Sequence, residues 1–243
     1  MPSCNRAPTA MTRVRTLALA LGAVSAMSAL LLSSASRAAP EEGKNFVTLA
    51  PPRPTSQRNK IEVVEFFSYG CPHCAHFYPI ISDWLAKLPH DVVFRRVPVG
   101  FGRDPWINLQ RAYYALESTG DFARLDGPLF RAIHEERKPL FDESSIADWV
   151  GSNGGNAEKF GAAYVSFGVN NQTFQADQMA EDFQISGVPA LAVDGHYVVL
   201  VPGGLSETEG LRQLLVTTDE LIARVRSERA AAKPTPGAAP KAR

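Results

Sequence analysis

The residues of this chain best placed to do chemistry are Cys71-Pro72-His73-Cys74. They stand where an apolar, β-branched and aromatic run, Ile61-Glu62-Val63-Val64-Glu65-Phe66-Phe67, gives way to a helical pattern. A cysteine at a helix start meets backbone N–H groups that lack a partner within the helix, together with the positive end of the helix dipole. Both favour thiolate over thiol. Pro72 suits the first turn, because its missing N–H would have gone unpaired there. His73, protonated or donating a hydrogen bond, stabilises the same sulfur further. Cys74 lies one turn further in and is expected to be the more buried. Cys71 then becomes the exposed sulfur that is attacked and attacks, and Cys74 the resolving thiol. A thiolate stabilised in this way favours the dithiol over the disulfide, and a low-pKa sulfur leaves readily, so the pair is suited to donating its disulfide.

Two other uses of these cysteines fit the sequence less well. A structural disulfide across two intervening residues closes a very small loop and stabilises little. Zinc is the second, since His76 follows two residues after Cys74 and a distant His90, His134 or His196 could complete a set. Structural zinc takes four ligands, often two cysteine pairs, and the body of the chain has no second pair. No metal is therefore expected, and His76 reads as a helix-surface residue. Placement between a strand and a helix favours the redox use.

The surrounding pattern supplies the elements that must position this pair. The nearly unbroken apolar run 61–67 predicts a strand buried on both faces. Phe77, Ile80, Ile81, Trp84 and Leu88 then fall at helical spacing, and Val92-Val93-Phe94-Arg95-Arg96-Val97 reads as a second strand, which makes a parallel crossover unit. Residues 46–49 suit an edge strand, broken by Pro51-Pro52-Arg53-Pro54. From 104 to 183 only helical patterns occur. The first runs through Trp106, Leu109 and Leu116, and the second through Phe122, Leu125 and Ile133. A short helix around Trp149 is expected to be capped by Ser145 with Asp148 and ended by Gly151; Asn156 opens another, and 174–183 forms the last. Strands return at 190–193 and 196–201, joined by the hairpin signal Asp194-Gly195. Ser206 with Glu209 makes a capping box for a long final helix with Leu211, Leu214, Leu215, Leu221, Ile222 and Val225 on its buried face. The order β-β-α-β, helices, β-β-α places the chain in the α/β class.

The 243 residues hold 25 Lys plus Arg against 25 Asp plus Glu, a balance that hides an uneven distribution. Residues 1–38 contain Arg6, Arg13, Arg15 and Arg37 and no acid, an apolar run over 17–32, and small residues at Ser36 and Ala38. That is the pattern of a secretory signal peptide cleaved after Ala38, starting at Met1 or Met11. The alternative is an uncleaved anchor, but a spanning helix wants about 20 apolar residues. Cys4 leaves with the leader. At the other end, 230–243 holds Ala, Pro, Gly and Lys with nothing large to pack, and reads as a disordered tail. Four positive charges in the leader and three in the tail leave 39–229 at −7. An acidic exported body disfavours nucleic acid and anionic membranes as partners.

Glu65-Phe66-Phe67-Ser68-Tyr69-Gly70-Cys71-Pro72-His73-Cys74, followed far downstream by Gly187-Val188-Pro189-Ala190, resembles the DsbA family of periplasmic thiol-disulfide oxidoreductases. The resemblance covers roughly residues 41–227. It implies a thioredoxin-like fold built from 39–103 and 184–229, with 104–183 as an inserted all-helical domain. It further implies a monomeric enzyme whose only redox group is the Cys71–Cys74 disulfide, with no separate cofactor. Such an enzyme acts in the periplasm on unfolded secreted proteins with free thiols, through a mixed disulfide at Cys71, and is reoxidised by a DsbB-like membrane oxidase.

Residue by residue, Pro189 matches the family's cis-proline, and Val188 before it offers its backbone N–H and C=O to an extended substrate, as in strand addition. An ordinary strand-start proline is the alternative. Glu65 in an apolar strand is costly unless paired or close to function. In related proteins an acid here lies beneath the active site beside a base, which aligns with Arg96, and the pair would tune the protons of Cys74. The family usually has Lys at that position. Arg does not deprotonate, which counts against a proton-shuttling role. An edge-exposed Glu65 with no role is the other reading. Two further functions stand beside oxidation. One is disulfide isomerisation or reduction, although isomerases of this type usually carry Thr before the cis-proline and an N-terminal dimerisation domain. The other is a non-enzymatic periplasmic binding module or holdase.

Overall fold

The structure, a computed structural model, describes residues 39–232. The expected leader and the tail from Lys233 onward lie outside the described residues. Five strands, β1 (Phe46–Thr48), β2 (Ile61–Phe67), β3 (Val92–Pro98), β4 (Ala190–Val193) and β5 (Tyr197–Val199), form one sheet in the order β1-β5-β4-β2-β3. Only β2 and β3 run parallel; the other neighbours are antiparallel. All seven residues of β2 are buried, including Glu62 and Glu65, as befits a mostly apolar run paired on both edges. Side chains alternate between the faces of a strand, so β2 serves two cores. Ile61 and Val63 join Leu191 and Val193 on one face, and Val64 and Phe66 join Ala190 and Ala192 on the other. Glu65 shares its face with Val63 and Phe67.

Helix α1 (Pro72–Leu85) follows β2 and buries Cys74, Phe77 and Ile81. Between β3 and β4 run α2 (Asp104–Thr119), α3 (Phe122–His134), α4 (Glu143–Ser152), α5 (Ala157–Tyr164) and α6 (Phe167–Asp182), and α7 (Glu207–Ala232) ends the described chain. The last helix packs Leu211, Leu214, Leu221 and Ile222 with Phe77 and Ile81 of α1 against the sheet. The inserted helices have a core of their own, including Leu109, Leu116, Leu129, Ile146 and Phe160. That core runs without a break into Phe67, Tyr69, Cys71 and Cys74. The reactive pair therefore sits at the seam between the sheet layer and the helical insert. Among the described residues no helix is long and apolar enough to cross a membrane.

Three local expectations need correction. Helix α4 is capped by Asp142, whose carboxylate accepts from the Ser145 N–H at 2.9 Å, and it continues past Gly151. Asp142 fits the N-cap better than Ser145 because the apolar stripe starts at Ile146, within the first turn. Helix α6 opens seven residues before Phe174, capped by Ser166. Phe167 and Phe174 are 86% and 63% exposed, so the face that packs is the small-residue stripe Val169, Thr173, Ala176 and Ala180. The final helix extends through Ala230, Ala231 and Ala232, which had been assigned to the tail; alanine is the strongest helix former and prolongs it.

The β4–β5 hairpin turns through Asp194 (φ 54°) and Gly195 (φ 67°), the pair of left-handed residues that matches strand twist. A Cβ on Gly195 would clash with the carbonyl oxygen of Arg53, whose own N–H donates to the Gly195 carbonyl at 2.8 Å. Gly195→Ala is expected to lose more than the about 1–2 kcal/mol that a left-handed residue costs by itself. Gly204→Ala, at φ 81° in open space, should lose no more than that. Urea unfolding midpoints of the two variants compare them directly.

Candidate active site

Helix α1 starts at Pro72 with Cys71 as its N-cap residue, and no side chain caps it. The close packing of the preceding turn fixes this junction. At Gly70 a Cβ would come within 2.7 Å of the Trp106 indole nitrogen, so only glycine fits there. Tyr69 is held twice by α3: its hydroxyl donates to Asp126 at 2.6 Å, and His134 Nε2 lies 2.6 Å from its carbonyl oxygen. The Cys71 thiol donates to the Val188 carbonyl oxygen, Sγ to O 3.4 Å, across the chain from the cis Val188–Pro189 bond. A second cis bond, Ala50–Pro51, was not anticipated. The structure thus brings Cys71, Cys74, Val188 and Pro189 together from two distant stretches of sequence.

The two sulfurs, present as free thiols, differ sharply in character. Cys71 is lowered to about 6, first by a hydrogen bond from the Cys74 thiol; burial opposes this, while the N–H groups of Cys74 and His73 and the His73 charge support it. The unpaired N–H groups at the helix start act as the sequence predicts, but the leading contribution comes from the partner cysteine. Cys74 is pushed well above the ordinary thiol range by burial, then by its hydrogen bond to Cys71 and the Cys71 charge. Cys71 is more covered than expected, 4% exposed against 1% for Cys74.

His73 is exposed, and its Nδ1 lies 2.6 Å from Glu207 Oε1; that hydrogen bond raises its pKa. His76 Nδ1 approaches the same oxygen at 2.9 Å. Glu207 escaped the sequence reading, where it looked like an ordinary acid in the first turn of a helix. Among the described residues, neither cysteine lies in a cluster of His, Cys, Asp or Glu side chains close enough to hold one ion. His134 turns to Tyr69, and His196 Nδ1 turns to the Asp194 carbonyl at 2.8 Å.

Beneath α1, Glu65 is fully buried and directly opposite Arg96 in the parallel β2–β3 register. Arg96 Nε donates to Glu65 at 2.8 Å, and its Nη1 donates to both oxygens of Asp126 at 2.9 Å. The guanidinium carbon stacks 3.7 Å from the Phe67 ring centroid. A planar fork that binds two carboxylates and lies on an aromatic ring gives a physical reason for Arg here, since Lys has neither the fork nor the flat face. Burial raises the pKa of Glu65, against the pull of Arg96. Burial disfavours the Arg96 charge, but Glu65 and Asp126 more than compensate and hold it on. Asp126 is the member that sequence reading missed: it lies on the third helix, and nothing in its own neighbourhood marks it.

Two outcomes follow from this geometry. Thiolate absorbance of the reduced protein in metal-free buffer should titrate at about 6. Cys74→Ala should raise that value more than His73→Ala, because the thiol hydrogen bond leads. An unfolded thiol ionises near about 8.5. The reduced protein therefore gains stability over the oxidised as pH rises from about 6 towards 8.5, and that advantage is lost as pH falls through about 6. Second, Arg96→Met leaves buried Glu65 without a partner and Asp126 with the Tyr69 hydroxyl but not the guanidinium, and should cost about 3–5 kcal/mol in denaturant unfolding; Arg96→Lys, which keeps the charge, should cost less.

Known proteins resemble this chain in sequence and fold. The family profile described as a DSBA-like thioredoxin domain matches residues 62–215. The thiol:disulfide interchange protein DsbA of Pseudomonas aeruginosa strain PAO1 is 39% identical over 208 residues, covering 85% of this chain and 98% of that one. Its counterpart in Bordetella pertussis is 42% identical over 157 residues, 64% of this chain and 73% of that protein. The crystal structure of P. aeruginosa DsbA superposes with a TM-score of 0.72 at 39% identity, covering 80% of this chain and 97% of that one. The Xylella fastidiosa oxidoreductase DsbA gives 0.71 at 32% identity, covering 78% and 100%. The thioredoxin-like fold with a helical insertion agrees with these relatives, and the chain belongs to the DSBA-like thioredoxin domain family as a thiol:disulfide oxidoreductase.

Proposed function

We propose that the protein works in the oxidising direction, passing the Cys71–Cys74 disulfide to unfolded polypeptides newly delivered to the periplasm. The observation that carries this reading is the split between the sulfurs, Cys71 lowered to about 6 and Cys74 pushed well up. A substrate thiolate attacks Cys71 Sγ, the Cys71–Cys74 bond breaks, and its electron pair leaves on Cys74, which takes a proton. A second substrate thiolate then attacks the substrate sulfur of the mixed disulfide, and Cys71 departs as a stable thiolate. The substrate has lost two electrons and the cysteine pair has gained them. One of the two substrate protons ends on Cys74 and the other goes to solvent.

Glu65, with its raised pKa, is the group we assign to hold the proton that Cys74 takes up. It borders an open cleft of about 750 Å³ shared with Arg96, Asp126, Tyr78 and Tyr113, which gives water a route to it. Arg96 keeps its charge and positions Glu65. Beside Pro189 a groove of about 610 Å³, lined by Ile185, Val188, Val201 and Leu205, suits an apolar stretch of extended chain, with the Val188 backbone as its polar anchor. The protein acts as a monomer on this reading. Its leader is removed after Ala38, and its disulfide is restored by a quinone-linked membrane oxidase of the DsbB type.

Equilibration with glutathione redox buffers tests the direction. The expected result is a strongly oxidising pair, reduced by far less glutathione than thioredoxin needs. A thioredoxin-like poise would make the protein a reductase. In parallel, Cys74→Ala whose Cys71 has first been converted to its mixed disulfide with oxidised glutathione should release glutathione to a thiol-bearing unfolded peptide and accumulate the Cys71–peptide mixed disulfide, and Cys71→Ser treated in the same way should form none.

A further inference from the structure

His73 and His76 stand three residues apart in the first turns of α1, a spacing that puts them on one helical face. Glu207, 134 positions after His73, arrives at the same point as the first residue of α7. Both imidazole Nδ1 atoms approach a single oxygen, Glu207 Oε1, at 2.6 and 2.9 Å. The three side chains offer ligand atoms that all lie within 4.8 Å of one another, and among the described residues they are the only such group of His, Cys, Asp or Glu. All three are exposed, the histidines at 62% and Glu207 at 41%.

A structural tie between α1 and α7 is the ordinary explanation, but the two helices are already joined by Phe77 and Ile81 against Leu211 and Leu214. The polar trio is not needed to dock them. Each imidazole nitrogen that faces the carboxylate can present either a proton or a lone pair. Two imidazoles and one carboxylate are a ligand set that zinc accepts with water in the fourth position, and imidazole also suits copper and nickel. Zn–N bonds of about 2.0–2.1 Å set tetrahedral ligand atoms about 3.4 Å apart, so the observed spacings need only a small opening of exposed side chains. The backbones that carry them are fixed, His73 and His76 by the packed start of α1 and Glu207 by the Ser206–Glu209 capping box. We infer that His73, His76 and Glu207 form a binding site for a borderline divalent transition cation, best represented by zinc, at the edge of the groove beside Pro189.

Isothermal titration with zinc chloride tests this on the oxidised chain carrying Cys4→Ser, in which no free thiol is left to bind metal. The expected result is one zinc per chain, with the association constant falling at least about tenfold in both His76→Ala and Glu207→Gln, since even outer-shell partners of a metal site cost about 10–100-fold. His196→Ala, at the hairpin turn, serves as the control and should leave it unchanged. Imidazole NMR resonances of His73 and His76, and not those of the other histidines, should shift on adding zinc to the unsubstituted protein. Absence of binding overturns the assignment. So does binding that survives both substitutions, or zinc shifts confined to other histidines.

Discussion

Helix α1 begins without a side-chain cap, and the sulfur of Cys71 receives the electrostatic benefit. Its neighbours at the helix start, the N–H groups of His73 and Cys74 and the Cys74 thiol, all present positive ends to it. One turn deeper, Cys74 has lost its water and faces the charge of Cys71, so its proton is held tightly. The asymmetry is a property of the dithiol alone, because a disulfide has no charge to stabilise. Every favourable contact to the thiolate therefore lowers the free energy of the reduced protein relative to the oxidised. The disulfide becomes correspondingly easier to give away.

Much of the remaining architecture reads as what keeps that asymmetry in place. Strand β2 must end where the helix begins, and its burial on both faces fixes the end. The Tyr69 turn is tied to α3 at its hydroxyl and its carbonyl, so the helical insert grips the junction from outside the sheet. The same α3 residue, Asp126, also takes two hydrogen bonds from Arg96, which in turn holds Glu65. Tyr69, Asp126, Arg96 and Glu65 make one connected chain running from the turn before Cys71 to the acid beneath Cys74. A buried charge network of this kind adds little net stability against an apolar replacement, but it is costly to break. Its value lies in fixing geometry and in placing an acid with a raised pKa on the α1 side of β2.

What the sequence made legible was local or carried by a specific pairing of motifs. The handover from 61–67 to Cys71-Pro72 is a change of periodicity within a few residues. The Asp194-Gly195 turn and the Ser206–Glu209 box are short-range signatures. Glu65 and Arg96 were paired through resemblance, and the sheet register places them opposite each other. Asp126, His134 and Glu207 were not legible as site residues, because each lies on a helix face like any other polar residue and acquires its meaning from a contact more than fifty positions away. The boundary of α6 failed for a different reason. The expected helix starts at the aromatic Phe174, whereas Phe167 and Phe174 face outward and small residues do the packing. Composition says how strongly a residue prefers burial, and the surface has no obligation to exclude it.

The replacement of Lys by Arg at position 96 bears on how protons move in the proposed reaction. A lysine between two buried carboxylates could release its proton when the local charge changes. Arginine does not, and here it is further fixed by two carboxylates and the Phe67 ring. Whatever proton Cys74 gains when the disulfide opens has to come from a group that titrates more readily. Glu65 has the raised affinity for protons, the proximity to influence Cys74 and a border on an open cleft. With the guanidinium constant in charge, the electrostatic background at Cys74 changes with the charge on Cys71 and with the protonation of Glu65. One proton is then exchanged between one acid and one thiol over a fixed cation, which is a simpler arrangement than a carboxylate and an amine sharing the task.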